Sequence, residues 1–322
     1  MTKNEKLINS FAEDVIKGLN AEQKYIPSKY FYDDAGSKLF QQIMDLPEYY
    51  LTNCEYEILD SYKDIFLKIF ANDSKHFNLI EFGAGDGMKT KIILKHFLDN
   101  NANFTYMPID ISQKALDILE SDVKSDLPNI DISPIHNEYF GALHELKERD
   151  PESRNVVLFL GSTIGNFDEK EALGFLKAVR EELSRGDMFV LGFDLKKDPQ
   201  VILDAYSDKQ GVTREFNMNL MRRMNRELGA NFIESNFLHF PSYNPETGET
   251  KSFLISKKEQ TVTFELLDFT AHFSSYETIY TEVSQKYDIK NIRHLAESSG
   301  FEIVHTFYDK KQYFADVVWQ AE

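Results

Sequence analysis

The sequence is poor in metal-binding and redox side chains, with one cysteine, Cys54, among 322 residues. A single cysteine excludes an intramolecular disulfide, a CxxC redox motif and a cysteine-based zinc site. None of the eight histidines has HExxH or HxH spacing, which disfavours a zinc hydrolase. We therefore expect no bound metal.

Long apolar runs are also missing. No stretch approaches the ~20 apolar residues of a membrane span, and the N-terminal segment lacks the apolar core of a signal peptide. These features predict a cytoplasmic protein without a membrane partner.

Positive charge is scarce, because 36 Lys and Arg residues face 53 Asp and Glu residues, for a net charge of -17. Nonspecific binding of nucleic acids depends on Lys and Arg that neutralise phosphates, so no nucleic-acid partner is expected. With 42% hydrophobic and 28% charged residues the composition is that of a folded globular protein. No obvious interface segment stands out, and we expect a monomer.

The central third of the chain alternates short apolar runs with segments of helical periodicity. This pattern predicts an α/β fold with a doubly wound, mainly parallel sheet. The predicted strands are residues 77–82, 104–109, 130–135, 155–159 and 187–192. The predicted helices between them are residues 89–98, 112–124 and 169–184.

The flanking segments predict a second lobe. A mainly helical stretch precedes the alternating region, residues 205–228 read as one helix, and residues 231–273 alternate as strands do. Near the C-terminus a helix at 290–298, stopped by Gly300, precedes a terminal antiparallel strand pair at 301–308 and 313–319. The predicted domains are 59–195 with 287–322 for the sheet, and 1–58 with 196–286 for an α+β substrate-binding lobe.

A glycine-rich loop follows the first predicted strand. Gly83, Gly85 and Gly87 allow a sharp turn and a close approach of backbone to ligand, and Asp110 ends the next strand, where an acidic side chain can accept bonds from ribose hydroxyls. The loop lacks GxxxxGK[ST] and departs from GxGxxG, which disfavours a phosphate loop and a dinucleotide-dependent dehydrogenase. A simple tight turn is the alternative. The loop resembles the E/DxGxGxG signature of class I methyltransferases, which implies a Rossmann-like fold and S-adenosylmethionine as cofactor.

Further segments resemble one family, the histidine-specific N-α-methyltransferases that make trimethylhistidine on the way to ergothioneine. The matching stretches run in family order over nearly the whole chain: YFYDDAGSKLF from Tyr30, LPEYYLTNCE from Leu46, FLGSTIGNF from Phe159, GVT from Gly211 with Phe216-Asn, and TEVSQKY from Thr281. The resemblance implies methylation of the α-amine of free L-histidine, in three successive transfers that give trimethylhistidine (hercynine).

The resemblance also implies a set of cofactor-binding residues. These are Gly83, Gly85, Lys89, Asp110, Glu138 and Tyr139. Asp110 would bind the ribose, Tyr139 would cover the adenine, and Lys89 would meet the carboxylate of the cofactor's methionine part. For Lys89 the plain alternative is an exposed lysine on a helix surface.

For the amino-acid substrate, the family pattern assigns Asn166 and Tyr206 to the α-carboxylate. Amide and phenol groups suit a carboxylate, because both donate hydrogen bonds to its oxygens. Tyr49 and Thr213 would lie nearby, and Tyr32 and Phe40 would lie beside the amine. Tyr32 is the candidate catalytic residue, since the amine must lose a proton to Tyr32 or to water. The alternative is that these tyrosines only pack.

Glu282 and Ser284 match the pair that reads the imidazole in this family. A buried carboxylate needs a donor; imidazole presents donors at both nitrogens when charged, whereas indole supplies one N–H. The alternative for Glu282 is an ordinary salt bridge with Lys286. Ser252 stands where the family carries an apolar methionine near the substrate ring, which changes the polarity of that site. The rival functions are methylation of another amino acid such as tryptophan, and a noncatalytic sensor of amino acid or S-adenosylmethionine.

Overall fold

The protein forms two compact units in a computed structural model, which describes residues 3–71, 76–85, 87–149 and 153–322. The large unit consists of Leu51–Lys196 and Lys286–Glu322, and the small unit consists of the residues up to Tyr50 with Lys197–Gln285. The chain therefore leaves the large unit once, builds most of the small unit, and returns.

The helices are α1 (Lys3–Leu19), α2 (Asp34–Met44), α3 (Tyr50–Ala71), α4 (Thr90–Asp99), α5 (Gln113–Asp126), α6 (Tyr139–Arg149), α7 (Glu169–Glu182), α8 (Pro199–Tyr206), α9 (Val212–Leu228) and α10 (Ile289–Ser299). The strands are β1 (Phe77–Phe82), β2 (Phe104–Asp110), β3 (Ile135–His136), β4 (Arg154–Phe159), β5 (Met188–Asp194), β6 (Phe237–Tyr243), β7 (Glu249–Ser256), β8 (Gln260–Phe264), β9 (Phe269–Phe273), β10 (Thr278–Gln285), β11 (Phe301–Tyr308) and β12 (Phe314–Ala321).

A seven-stranded sheet organises the described part of the large unit, in the order β11-β12-β5-β4-β1-β2-β3. Strands β1 to β5 pair in parallel, whereas β12 runs antiparallel to β5 and to β11. The order reverses between β4 and β1, the point of an open α/β sheet where ligands bind beyond the carboxyl ends of the strands. The expected doubly wound sheet with a terminal antiparallel pair is confirmed.

The core of the large unit is built on strands that are buried along their whole length. All six residues of β1 and all seven of β5 are buried, as a strand covered by helices on both faces requires. Helix α7 begins with a capping box between Asp168 and Glu171, and α10 with one between Asp288 and Asn291. These caps fix the starts of the two helices.

The small unit is an α+β structure. Strands β10, β7 and β6 form an antiparallel sheet, and β8 pairs with β9. Alternate residues of β7 are buried, so this sheet has one face toward the helices and one away from them. Its core joins α1, α2 and α9 to the strands through residues such as Phe31, Met221 and Leu254.

Two predicted elements differ in the structure. The helix predicted over 205–228 is wrong: α8 ends at Tyr206, and α9 starts at Val212 after Gly211, whose φ is 77°. Asp208 accepts the backbone N–H groups of Val212 and Thr213, which starts a new helix there. The strand predicted over 130–135 is only the two-residue β3, with an isolated bridge at Ile132.

Among the described residues, no helix is long and apolar enough to cross a membrane.

Candidate active site

The glycine loop joins β1 to α4 at the carboxyl edge of the large sheet. Gly83, Gly85 and Gly87 have φ values of 63°, 58° and 66°, a left-handed conformation that favours glycine. A Cβ at Gly83 would lie 3.0 Å from the Tyr139 hydroxyl, whereas one at Gly85 would meet no atom of the described residues within 4 Å. The loop therefore has an open side at Gly85 for a ligand; Asp86 lies outside the described residues.

Asp110 and Tyr139 lie beside this loop. Asp110 ends β2, next to β1, and its Oδ1 accepts the Ser112 amide at 2.7 Å. The Tyr139 ring stacks on Phe82, with centroids 4.4 Å apart and planes within 6°. Burial and the charge of Asp110 raise the pKa of Tyr139. The Asp110 carboxylate and the neutral Tyr139 phenol thus both lie beside the glycine loop. Glu138, the residue before Tyr139, is exposed.

Lys89 directly precedes α4, and its side chain is 24% exposed. Its ammonium forms an ion pair with Glu55, a carboxylate on α3 that is 1% exposed. Charges on Glu55, Asp316 and Glu81 raise the pKa of Lys89 against the opposing effect of burial. Lys89 is therefore half-buried and ion-paired at the end of the glycine loop.

Asn166 is the one substrate candidate that belongs to the large unit. It ends a short 3₁₀ helix, Thr163–Asn166, that follows β4, and its side chain is exposed. The other predicted substrate residues belong to the small unit.

An aromatic cluster in the small unit joins three predicted residues around Phe216 of α9. Tyr32 lies edge-on to Phe40 and to Phe216, with ring centroids 5.6 and 5.8 Å away. Phe40 in turn lies 5.9 Å from Phe216 and 6.3 Å from Tyr49. Edge-to-face contacts of this kind favour fixed orientations of the rings, so the cluster presents a continuous aromatic surface.

Charged and polar groups face Tyr32. Desolvation by surrounding protein, followed by the charge of Glu282 and the hydroxyl of Tyr206, raises the pKa of Tyr32 above its ordinary value, although the residue is 46% exposed. Tyr206 ends α8, is buried, and packs with Tyr49 and Tyr243. Tyr32 is thus a neutral phenol at physiological pH.

The inward face of the small unit's sheet carries a polar group of four side chains. Glu282 of β10 lies directly opposite Ser252 of β7, and Ser284 lies opposite Thr250. Directly opposite residues of an antiparallel pair share a face. Ser252 and Thr250 are each 1% exposed, and within the described part of the chain their hydroxyls have no hydrogen-bond partner.

Helix α9 packs against that sheet through its first turns. Thr281 lies at the β-bulge of β10. Its hydroxyl is within hydrogen-bond distance of two acceptors, Asn217 Oδ1 at 2.9 Å and the Ser252 carbonyl at 3.0 Å. Asn217 donates to the carbonyl of Thr213, one helical turn earlier. The predicted residue Thr213 is buried at this junction.

Three residues of the sites were missed by the sequence interpretation. Phe216 occurs in a stretch that matches the family but was not assigned a role. Thr250 is two residues from Ser252 in a strand, and period-two spacing places both on one face. Glu55 ends the matched stretch that starts at Leu46 but was not assigned a role, because only the tertiary fold brings it to Lys89 and the β4 end.

Comparison with known proteins gives a consistent result. The model of the family described as histidine-specific, S-adenosylmethionine-dependent methyltransferases matches residues 11–321. The chain is 33% identical to histidine N-alpha-methyltransferase of Mycolicibacterium smegmatis, over 92% of this chain and 90% of that protein. It is 28% identical to ergothioneine biosynthesis protein 1 of Schizosaccharomyces pombe, over 88% of this chain and 37% of that protein. It is 25% identical to an L-tryptophan methyltransferase of Psilocybe serbica, over 89% and 85% of the two chains.

Proposed function

The chain belongs to the family of histidine-specific, S-adenosylmethionine-dependent methyltransferases, and we propose that it methylates the α-amine of free L-histidine three times, giving trimethylhistidine. Relatives named as histidine N-alpha-methyltransferases, similar over nine-tenths of the chain, support this substrate.

The observation that carries the choice of histidine is the polar group on the small unit's sheet. Glu282, Ser284, Ser252 and Thr250 share one face, and two of the hydroxyls are buried without partners in the described chain. Buried polar groups favour a ligand that hydrogen-bonds to them. An imidazole presents two nitrogens, whereas an indole presents one N–H and otherwise apolar edges.

The aromatic cluster supports repeated methylation. Each ring of Tyr32, Phe40, Tyr49 and Phe216 lies within 7 Å of at least one other ring of the cluster. Each transfer leaves the product amine more alkylated until it is a permanent cation. Ring faces attract such cations without requiring hydrogen bonds from them. We assign Tyr32 and Phe40 to the amine, and Asn166 and Tyr206 to the substrate carboxylate.

The residues of the large unit fit the cofactor. The open side of Gly85 admits close backbone contact, Asp110 suits a ribose, and Lys89 suits a carboxylate. Tyr139 and Glu138 complete the proposed set. When bound, S-adenosylmethionine supplies an electrophilic methyl group on a sulfonium.

The chain's own residues have mainly to orient the amine and let its proton leave. Because Tyr32 is a neutral phenol, its oxygen accepts a hydrogen bond from the protonated amine and takes that proton while its own O–H proton passes to water, so no standing negative charge forms. Positioning of this kind supplies on the order of 7–11 kcal/mol in favourable cases.

Tryptophan is the second candidate substrate, because a tryptophan methyltransferase is among the similar proteins. Glu282 separates the two. Replacing Glu282 with Gln removes the charge that favours a ring cation or a strong donor, so kcat/KM for histidine should fall by about tenfold or more while that for tryptophan does not fall.

The test is steady-state kinetics of the wild type and the Glu282→Gln variant with each amino acid, with Glu246→Gln, a change in the turn that joins β6 to β7, as the control. A wild type that prefers tryptophan, or a Glu282→Gln variant that loses both activities equally, would contradict the assignment.

A further inference from the structure

The buried carboxylate of Glu55 contacts two backbone segments at the carboxyl edge of the large unit's sheet. Its Oε1 accepts the backbone N–H of Gly161 at 2.6 Å, and its Oε2 accepts the Lys89 ammonium. Gly161 follows β4, and Lys89 precedes α4 at the end of the glycine loop. One side chain of α3 thus ties the end of β4 to the start of α4.

Gly192 of β5 makes room for this carboxylate. A Cβ at Gly192 would lie 2.5 Å from Glu55 Oε1 and 3.0 Å from the Phe314 ring. The backbone of Gly192 does not have a positive φ, so space is the reason for glycine at this position. Even an alanine would displace the Glu55 carboxylate.

Asp316 is the other acidic group near Lys89. It lies opposite Gly192 on β12, is fully buried, and within the described residues neither of its oxygens has a hydrogen-bond partner. Burial and the charge of Glu55 raise the pKa of Asp316 well above its usual range. Glu55, and not Asp316, forms the direct ion pair with Lys89.

The Lys89 ammonium keeps capacity for an additional anion. An ammonium carries three N–H donors, and Glu55 accepts from one of them. The missing side chain of Gly161, whose Cβ would lie 3.6 Å from Lys89 Nζ, leaves one approach open. The Lys89 side chain as a whole is 24% exposed, whereas that of Glu55 is 1% exposed.

We propose that Glu55 is a positioning residue for the methionine end of the cofactor. It holds the Lys89 ammonium and the Gly161 amide in fixed places, so that Lys89 binds the cofactor's α-carboxylate without first being ordered. The inference rests on the cofactor role proposed for Lys89, and not on the identity of the amino-acid substrate.

The test compares two ligands by calorimetry without amino acid: S-adenosylhomocysteine, which carries the α-carboxylate, and 5′-methylthioadenosine, which lacks it. Glu55→Gln keeps an acceptor for Gly161 but loses the charge that holds Lys89. It should weaken S-adenosylhomocysteine binding by about tenfold to a hundredfold and leave methylthioadenosine binding within about twofold. In a Lys89→Met background, Glu55→Gln should cause no further loss.

The matched control is Glu57→Gln on the same helix, where the carboxylate pairs with Lys310 at 3.0 Å; both ligands should bind as in the wild type. Gly192→Ala is a second route to the same effect, because it displaces Glu55 without removing a polar group.

Three results would overturn the proposal: equal weakening of both ligands, unchanged S-adenosylhomocysteine binding in Glu55→Gln and Gly192→Ala, or a wild type that binds both ligands equally. Failure to methylate histidine would leave these binding results readable, so the two proposals can fail separately.

Discussion

Tyr32 shows how one residue's surroundings limit its chemistry. The phenol lies beside Glu282 and Tyr206, and its pKa is raised above the ordinary value of 10.0. A base must be deprotonated to act, so Tyr32 is a hydrogen-bond relay at neutral pH, and the pH dependence of catalysis belongs to the substrate amine.

We predict that Tyr32→Phe lowers kcat about tenfold, because one hydrogen bond to the reacting amine is lost while the ring contacts remain. For both proteins kcat/KM should rise with pH as the amine loses its proton, with no additional limb from Tyr32 below about pH 10. Rate profiles over this pH range check this. A limb below about pH 9 that disappears in Tyr32→Phe would mean that Tyr32 acts as the base itself.

Two buried threonines on adjacent strands give a matched comparison. Thr250 and Thr281 are both 1% exposed, but within the described chain the Thr250 hydroxyl has no partner, whereas that of Thr281 bonds to Asn217 and to the Ser252 carbonyl. An unpartnered buried hydroxyl costs stability until a ligand satisfies it.

In the ligand-free protein, Thr250→Val should raise the free energy of unfolding by about 1 kcal/mol, and Thr281→Val should lower it by about 1–2 kcal/mol. Thr250→Val should also weaken histidine binding. Urea unfolding and calorimetry measure both effects. A destabilised Thr250→Val protein with unchanged histidine affinity would show that the hydroxyl serves the fold alone.

At the scale of elements, the sequence predicts those whose signals are local. The β1–loop–α4 segment, the run from α10 through Gly300 to β11, and the alternation of β7 all carry period and turn signals within a few residues. The break between α8 and α9 was missed, because a single glycine within a helical pattern is a weak signal for a helix end. The hydrogen bonds from Val212 and Thr213 to Asp208 are seen only in the structure. β3 was overestimated because apolar alternation cannot tell whether a partner strand continues.

Strand β6 carries a histidine that ties stability to pH. Burial, and secondarily the charge of Arg214, lowers the pKa of His239 from 6.5 to about 4. Between these values the unfolded chain binds more protons than the folded protein, so stability must fall as pH drops from about 6.5 toward 4.

We predict that the free energy of unfolding decreases more between about pH 7.5 and pH 5 in the wild type than in His239→Gln, by at most about 3 kcal/mol. Urea titrations at the two pH values give the difference. An equal pH dependence of the two proteins would mean that His239 titrates normally in the fold.

At the scale of the whole molecule, a buried ion pair joins the two points at which the chain leaves the large unit and returns to it. Asp194 and Lys286 lie at the points where the chain leaves and returns, and they form a fully buried ion pair at 2.8 Å. The bridge between Leu195 and Tyr287 adds backbone bonds beside the pair. A buried charge that loses its partner is costly, far more so than an exposed one.

Lys286→Met should therefore destabilise the protein by about 3–5 kcal/mol, and the double variant Asp194→Asn/Lys286→Met should regain part of that loss. Chemical denaturation of the wild type, Lys286→Met, Asp194→Asn and the double variant completes the cycle. Lys196→Met, whose partner Asp288 is 45% exposed, is the control. A double variant less stable than Lys286→Met would contradict the explanation.

Some residues of the candidate site could be predicted from short sequence segments, whereas others depend on contacts between distant parts of the chain. The cofactor loop, Asp110 and the residues of the matched family stretches could be predicted from sequence, because short segments carry them. The roles of Glu55, Gly192 and Thr250 could not be, although Glu55 ends a matched stretch, since each role depends on which distant group the residue meets. A buried carboxylate on a helix and a glycine in a strand look ordinary until the fold brings them together.

The most direct measurement is tandem mass spectrometry of an equimolar amino-acid mixture incubated with the purified protein and S-adenosylmethionine. The account predicts that histidine alone gains mass, in up to three single-methyl steps, with fragments that place every methyl on the α-nitrogen. Methyl groups on the imidazole ring, or on another amino acid while histidine stays unmodified, would contradict it.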